Sequence, residues 1–256
     1  VWRGLIYHQV QAAMCTVTFI PSKEHIILTS NRDEKHWRSP AQPPAPHAFK
    51  TGNILFPKDG DAGGTWFAVH ENGNAVVFLN GGFVRHEPKP PYRRSRGLIL
   101  LDLLDSSSPR DSFLSIDLDN IEPFTAVIWD DSRLFECRWD GQQKHHKQLD
   151  STSPHIWSSA TLYDDEVIAR RRLWFTGWLA KHPMPAQEDI LHFHQFTGDG
   201  DTHNDLLMNR DGKVFTVSVT SVQIEPARAS VRYLDIRNGH ETGENIVLMN
   251  TSVAKA

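Results

Sequence analysis

A methionine followed at once by a cysteine, Met14-Cys15, opens the first β-branched run of the chain, "MCTVTFI". Cysteine attacks as its thiolate, and a thiol with a pKa of about 8.5 is only partly ionised at neutral pH, so it needs a base close by. A second group of chemically capable side chains, "NRDE" at 31–34, ends the next run of the same kind. These two segments are the candidates for chemistry, and the elements that carry them decide whether they meet.

The composition limits the class of protein. The chain has 256 residues, 39% of them hydrophobic and 23% charged, which is typical of a soluble globular protein with a sizeable core. A net charge of -4 gives no electrostatic basis for binding nucleic acid or a membrane surface. No apolar run reaches the roughly 18 residues of a membrane span, and polar residues interrupt the segment before Met14, which is a poor signal peptide. Two cysteines form no disulfide framework, so we expect a cytoplasmic protein.

The patterning of the chain predicts hairpins separated by helices. The runs "TVTFI" and "HIILTSN" predict a hairpin with Cys15 at its leading edge, and two more hairpins are predicted around Asn72-Gly73 and around the "DS" at 131–132. Apolar residues at helical spacing predict three helices, in "RRSRGLILLDLLDSS", "DDEVIARRRLWFTGWLAKH" and "AQEDILHFHQF". The runs "KVFTVSVTSVQIE", "ASVRYLDI" and "NIVLMN" predict closing strands. Such a pattern indicates an α+β sandwich of two antiparallel sheets with helices outside.

Two segments are predicted to lack regular structure. Four prolines between Ser39 and His47 predict an irregular surface connection, and "KHHK" at 144–147 predicts a solvated loop. No internal repeat or linker divides the chain, so we expect one domain over 15–256.

Several motifs, taken in their order along the chain, resemble those of the NRDE family, also called the transport and Golgi organisation protein 2 family. They are "MCT", "NRDE", "GGTWFAV" at 63–69, the "ENG" turn, Asn80 and "SRG" at 95–97. The resemblance covers the first hundred residues closely and the remainder only in the order of strands and helices. Such proteins look like N-terminal nucleophile hydrolases, which share a four-layer αββα fold with the choloylglycine and penicillin V hydrolases. In those enzymes a processed N-terminal cysteine attacks an amide.

The resemblance implies a role for four side chains. Cys15 is the nucleophile, and Arg32 lowers the pKa of its thiol or holds an acyl oxygen. Asp33 hydrogen-bonds the α-amino group of Cys15 and holds it in position. The side-chain amide of Asn80 helps to stabilise the oxyanion. Three further substrate-binding candidates are Trp66, Ser158 and Ser159.

This chemistry requires Cys15 to be the first residue. A free α-amino group, with a pKa of roughly 7.7 to 8, can take the thiol proton, whereas an amide nitrogen cannot. Initiation at Met14 followed by ordinary methionine removal would produce that end. We therefore expect a mature chain that begins at Cys15, with residues 1–14 absent, and an inactive site while they remain attached.

Two departures from the family pattern bear on activity. Ser158 and Ser159 stand where the family usually has Ser-Asn, so a second amide donor is missing. Arg32 and Asp33 are adjacent, whereas the choloylglycine-type enzymes have the two residues a few positions apart. Neighbours on a strand point to opposite faces, so both reach Cys15 only if the strand has ended or bulged.

Each candidate also has a structural interpretation. A cysteine at a strand start can simply pack, Arg32 can form an ion pair that closes the hairpin, and Asn80 before two glycines can be a turn residue. The pair Gly63-Gly64 indicates a tight turn or a close approach in either case. Cys137 lies on a predicted buried strand face, which indicates core packing.

The fourteen histidines do not indicate a metal site. His192 and His194 are two residues apart and do not share a helix face, and no spacing resembles a zinc site, so no metal and no cofactor are predicted. The histidine and tryptophan content would suit a flat ligand such as haem, and some family members are associated with haem handling and lipid metabolism. No spacing identifies a haem ligand.

Two functions from different classes follow. In the first, the protein is a cysteine amidohydrolase that cleaves linear amide C–N bonds through an acyl-enzyme at Cys15. In the second, the same fold binds or traffics haem or an acyl lipid without turnover. The predicted partner is a small-molecule amide or a lipid- or haem-like ligand, with no nucleic acid and no membrane span, and the sequence leaves the oligomeric state open.

Overall fold

The computed structural model describes residues 13–249, with the side chains described from Thr16 onward. In chain order the strands are β1 (Ala13–Pro21), β2 (Ile26–Lys35), β3 (Gln42–Ala48), β4 (Asn53–Lys58), β5 (Phe67–His70), β6 (Ala75–Asn80), β7 (Phe124–Asp130), β8 (Arg133–Trp139), β9 (Lys144–Leu149), β10 (His155–Ser158), β11 (Asn209–Arg210), β12 (Val214–Ile224), β13 (Arg228–Asp235) and β14 (His240–Val247). The helices of this range are α1 (Arg96–Leu104), α2 (Pro109–Ser115), α3 (Asp165–Leu179) and α4 (Gln187–Phe196).

The described strands form two antiparallel sheets. The first runs in the order β10-β1-β2-β12-β13-β14, with β11 paired to β12, and the second runs from β3 to β9 in chain order. Helices α1 and α2 contact the second sheet, whereas α3 and α4 contact the first. The layers are therefore helix, sheet, sheet and helix, which confirms the predicted α+β sandwich. None of the helices between residues 13 and 249 has the length and apolar character that crossing a bilayer would require.

Strand alternation sorts the side chains of the first hairpin between two environments. Val17, Phe19 and Leu28 belong to the large core between the sheets. Thr18 and Asn31 face the opposite side and hydrogen-bond to the helix α4. The period of two along each strand produces this separation, and it decides which functional side chains can meet.

Two predictions of irregular structure are wrong. Part of the proline-rich segment is the strand β3, and the segment 144–147 belongs to the strand β9. Both lie at the edges of the second sheet, where a proline without an N–H can face solvent and polar side chains stay exposed on one side. The register of β3 against β4 shifts between Gln42 and Ala45, across two of the prolines.

Cys137 is buried in the core between the sheets, as predicted. Burial raises the pKa of its thiol to about 12, because the thiolate would lose its hydration there. Cys137 is therefore an inert packing residue.

Candidate functional site

A β-bulge marks the position of Cys15 on β1. Met14 pairs with Arg32 and Thr16 pairs with Asn31, so the register shifts by one and Cys15 is the extra residue. The side chain of Cys15 lies outside the described residues. On the other edge of β1, Thr16 pairs with Ser158 of β10, and continuing that register by one residue places Ser159 opposite Cys15. The backbone of Cys15 therefore lies between the end of β2 and the end of β10.

Arg32 lies on the face of β2 that looks toward the second sheet. Its guanidinium stacks on the ring of Trp66, with 4.4 Å from Cζ to the ring centroid, and its Nη2 donates to Glu34 at 3.1 Å. The same nitrogen donates to Asp59, which also accepts from Arg38 at 2.9 Å. Burial raises the pKa of Glu34, and the two arginines oppose that rise. Two arginines and two carboxylates thus form a buried network beside Trp66.

Asp33 lies on the other face of β2, toward α3. It is 0% exposed, and its carboxylate accepts from Thr216 Oγ1 at 2.5 Å and from Tyr163 Oη at 3.3 Å. Burial raises the pKa of Asp33 to about 7, because desolvation outweighs the hydrogen bond from Thr216 and the charge of Arg171. A carboxyl group whose pKa lies near neutrality is typical of a functional position.

The adjacent residues Arg32 and Asp33 therefore point to opposite faces of the first sheet. Their side chains do not share partners, since Arg32 contacts Glu34 and Asp59 whereas Asp33 contacts Thr216 and Tyr163. Both residues pair across the hairpin with the two residues that precede Cys15. Asp33 pairs with Ala13, and Arg32 pairs with Met14.

A cleft of about 420 Å³ opens beside Arg32. Its lining comprises Arg32, Glu34, Arg38, Asp59, Ala62, Gly64, Thr65, Trp66, Tyr92, Arg93, Arg94, Ser95, Arg96, Gly97 and Glu122. Two of the sequence motifs, "GGTW" at 63–66 and "SRG" at 95–97, form its walls. The cleft therefore joins motifs that lie about thirty residues apart in sequence.

Two glycines hold these walls together through a backbone contact. A Cβ on Gly97 would lie 2.8 Å from both the backbone nitrogen and the oxygen of Thr65, and a Cβ on Gly64 would lie 2.5 Å from the carbonyl carbon of Gly97. Thr65 donates its N–H to the oxygen of Gly97 at 3.3 Å. Gly63, with φ +69°, supplies the turn before this contact. The expected tight turn and close approach at Gly63-Gly64 are both present.

Substitution Gly97→Ala should destabilise the protein by about 1–3 kcal/mol, because the new methyl overlaps backbone atoms that cannot move aside independently. Chemical denaturation at equilibrium measures this free energy of unfolding. Gly177→Ala is the matched control, since nothing lies within 4 Å of a Cβ at this exposed position in α3. That change should stabilise the protein by about 1 kcal/mol through helix propensity. Equal effects of the two changes would contradict the close approach.

The remaining candidates, Asn80, Ser158 and Ser159, lie away from the cleft lining. Ser159 is buried, and its Oγ donates to the backbone oxygen of Asn80 at 2.9 Å. The side-chain oxygen of Asn80 is buried with no hydrogen-bond partner among the described residues. Ser158 lines a second cleft, of about 510 Å³, between β8, β10 and α3. Trp66 is the substrate-binding candidate that lies with Arg32.

Arg171 is a buried residue of this region that the sequence did not identify. It donates to Thr16 Oγ1, to the backbone oxygen of Asn204 at 3.0 Å and to that of Asp205 at 2.8 Å. Its Cζ lies 3.7 Å from the ring centroid of Tyr163, whose hydroxyl reaches Asp33. The sequence offers only three consecutive arginines at 170–172, which gives no reason to choose the middle one.

His194 anchors the "NRDE" segment to α4. The side-chain nitrogen of Asn31 donates to the backbone oxygens of His194 at 3.1 Å and Leu206 at 2.7 Å. The side-chain oxygen of Asn31 therefore accepts a hydrogen bond from His194 Nδ1. His194 Nε2 then accepts from Thr18 Oγ1 at 2.8 Å. Burial lowers the pKa of His194 to about 3, which keeps the ring neutral. Within the described residues no group of histidine, cysteine or carboxylate side chains is placed to hold a metal ion.

Solved structures of other proteins share the layered arrangement of two antiparallel sheets between helices. Similar solved structures include a Caenorhabditis elegans N-acylethanolamine-hydrolyzing acid amidase ortholog, at 11% identity and a TM-score of 0.55, covering 81% of this chain and 92% of that one. A mutant conjugated bile acid hydrolase from Clostridium perfringens is 11% identical with a TM-score of 0.54, covering 94% of both chains. A variant of that hydrolase is also 11% identical, with a TM-score of 0.53, covering 93% of this chain and 97% of that one. At such identity the likeness establishes the fold alone.

Residues 14–249 match the sequence profile of the Transport and Golgi organisation 2 family. The chain belongs to that family, as the "NRDE" motif and its companions indicate. Comparison with curated proteins gives no match.

Proposed function

We propose that the protein is an N-terminal cysteine amidohydrolase that cleaves linear amide C–N bonds through an acyl-enzyme at Cys15. The observation that carries this proposal is the bulge at Cys15, which sets its backbone beside the Arg32 end of β2 and next to Thr16, the partner of Ser158 on β10. Ser159 in turn holds the main chain of Asn80. In the proposal, Asn80 at the end of β6 in the second sheet and Arg32 on β2 in the first sheet both serve the nucleophile.

In the proposed reaction, the α-amino group of Cys15 takes the thiol proton and Sγ attacks the amide carbon. The tetrahedral oxyanion accepts a hydrogen bond from the side-chain amide of Asn80, a contact of roughly 3 kcal/mol in comparable hydrolases. Collapse breaks the C–N bond, and the α-ammonium returns the proton to the leaving amine. Water then attacks the thioester in the same way, which releases the carboxylic acid and the thiol.

Asp33 is the proposed positioning group for that α-amino group. Its hydrogen-bond partners Thr216 and Tyr163 are neutral, and its pKa of about 7 leaves the carboxylate available to a nearby ammonium. Cutting the chain before Cys15 would remove Ala13, the residue that now pairs with Asp33, and leave an amine at that end of β1.

The names of the structural neighbours support an amide substrate. One hydrolyses N-acylethanolamine and the other is a conjugated bile acid hydrolase. Arg32, whose backbone pairs with Met14 next to Cys15, is the proposed cation beside the thiolate, although Glu34 and Asp59 already share its charge.

One observation favours the second function, binding or trafficking of haem or an acyl lipid without turnover. The hydroxyl of Ser159 is already bonded to the backbone oxygen of Asn80 and lies 3.0 Å from Thr161 Oγ1. It therefore does not replace the second amide donor that the family usually has at this position.

The reactivity of Cys15 tests the hydrolase proposal. In protein that begins at Cys15, iodoacetamide at pH 7 should label Cys15 faster than free cysteine, while Cys137 stays unlabelled because of its raised pKa. A screen of acyl amides should give turnover that Cys15→Ala abolishes. If no amide is cleaved, and haem or acyl lipids bind wild type and Cys15→Ala equally, the binding function replaces the hydrolase.

A further inference from the structure

The cleft beside Arg32 contains buried polar atoms that the fold does not pair. Trp66 is 2% exposed and Glu34 is 1% exposed, and both line the cleft. Trp66 Nε1 and Glu34 Oε2 have no hydrogen-bond partner among residues 16–249, and neither does the buried hydroxyl of Ser95, also in the lining. Buried polar groups are paired in almost all folded proteins, so an unpaired donor and an unpaired acceptor in one cleft point to a ligand.

Each arginine of the cleft lining already lies in an ion pair with a carboxylate, although Arg38 Nε has no hydrogen-bond partner among the described residues. Arg32 and Arg38 face Glu34 and Asp59 across its floor. The other arginines of the lining also have carboxylate partners, in the ion pairs Arg93–Asp117 at 3.1 Å, Arg94–Asp102 and Arg96–Glu122 at 3.2 Å. At the buried residues Arg32 and Arg96, an anionic ligand would have to compete with these carboxylates.

We propose that this cleft binds an uncharged polar group of the substrate that both accepts and donates hydrogen bonds, an amide or a hydroxyl. Trp66 Nε1 donates to the oxygen of this ligand group, and Glu34 Oε2 accepts from its N–H or O–H. Ser95 Oγ forms a further hydrogen bond with the same group. That this ligand is a substrate rests on the proposed amidohydrolase function. Within that class, the cleft selects N-acyl amides with a neutral polar end over those with an anionic end.

Two ligands that differ only in charge test this selection. N-dodecanoylglycinamide and N-dodecanoylglycinate have the same acyl chain and the same scissile amide, but end in a neutral amide and a carboxylate. Their binding to the full chain carrying Cys15→Ala is measured by titration calorimetry, so that no cleavage intervenes. The glycinamide should bind about tenfold more tightly or better, because it satisfies both unpaired atoms.

Variants of the two buried residues locate the effect. Trp66→Phe keeps the ring under Arg32 but removes the N–H, and it should weaken glycinamide binding about tenfold. Glu34→Gln keeps an oxygen for Arg32 and replaces the other acceptor by a donor, so the preference for the glycinamide should fall about tenfold. Trp37→Phe, at an exposed tryptophan outside the lining, is the matched control and should bind as the parent does.

Tighter or equal binding of the glycinate to the Cys15→Ala parent chain would overturn the inference, and this comparison needs no substitution in the cleft. Binding unaltered by Trp66→Phe, in protein with a normal unfolding transition, would also overturn it. These binding results test the cleft independently of the hydrolase proposal. Selective binding without turnover in any form leaves the cleft assignment standing, whereas an active enzyme that prefers the glycinate removes it.

Discussion

A chain that begins at Cys15 should hydrolyse an acyl amide roughly 1,000-fold faster than the same chain with only Met14 left in front. The two proteins differ by one residue, and the thiol, Arg32 and the cleft remain in both. In the longer protein the nitrogen of Cys15 is part of a peptide bond and cannot accept the thiol proton. Single-turnover hydrolysis of a chromogenic anilide measures the difference, with intact mass used to establish each N-terminus.

Two controls separate the loss of the base from other causes. Cys15→Ala in the shorter chain should be inactive, which assigns the rate to the thiol rather than to Cys137, buried in the core. The full 256-residue chain should be as inactive as the one with Met14 alone, since any residue before Cys15 removes the base. Equal rates with and without Met14 would show that another group serves as the base, and the proposed mechanism would be wrong.

The sequence predicts the hairpins β1–β2, β5–β6 and β7–β8 because their patterns are local. The segment "PSKE" at 21–24 has turn residues and separates the β-branched runs "TVTFI" and "HIILTSN", and the pair Asn72-Gly73 marks the next hairpin in the same way. The strand β3 escapes prediction because its prolines argue against a strand. Only its position at the edge of a sheet makes them acceptable, and that position depends on the whole topology.

The candidate site is predictable only in part, for a related reason. The motifs at 63–66 and 95–97 are visible in the sequence, but the backbone contact between Gly64 and Gly97 that joins them is a property of the fold. The rule of alternation predicts that Arg32 and Asp33 diverge, and they do. Arg171 is buried because its own helix packs over the site, and no local pattern distinguishes it from Arg170 and Arg172.

Asp33→Asn should stabilise the full chain at pH 8 while it disables the site in the chain that begins at Cys15. The folded pKa of Asp33 is about 7 against an ordinary value of 3.8, so folding favours the protonated form. The wild type therefore has its full stability below about pH 4 and loses it as pH rises toward about 7. Three pKa units correspond to roughly 4 kcal/mol, which the uncharged Asp33→Asn variant should not lose.

The difference in unfolding free energy between wild type and Asp33→Asn, measured by denaturation at a series of pH values, tests this directly. This difference should change between about pH 4 and about pH 7 and stay constant at higher pH. Asp130→Asn, at another buried aspartate, outside the site, is the control for loss of a carboxylate as such. A difference that does not vary with pH would mean that Asp33 is not held protonated by its surroundings.

The same variant connects stability with function. In the chain that begins at Cys15, the α-ammonium at the end of β1 would offset the desolvation of Asp33 and lower its pKa, so the pH-dependent loss of stability should shrink. Asp33→Asn should there reduce amide hydrolysis about 100-fold, because the amine is no longer held in place. Asp33 would thus destabilise the full chain and serve catalysis in the chain that begins at Cys15. This combination is expected at a site that is completed only when the preceding residues are removed. If the shorter chain shows the same pH dependence as the full chain, the amine does not reach Asp33 and its positioning role is excluded.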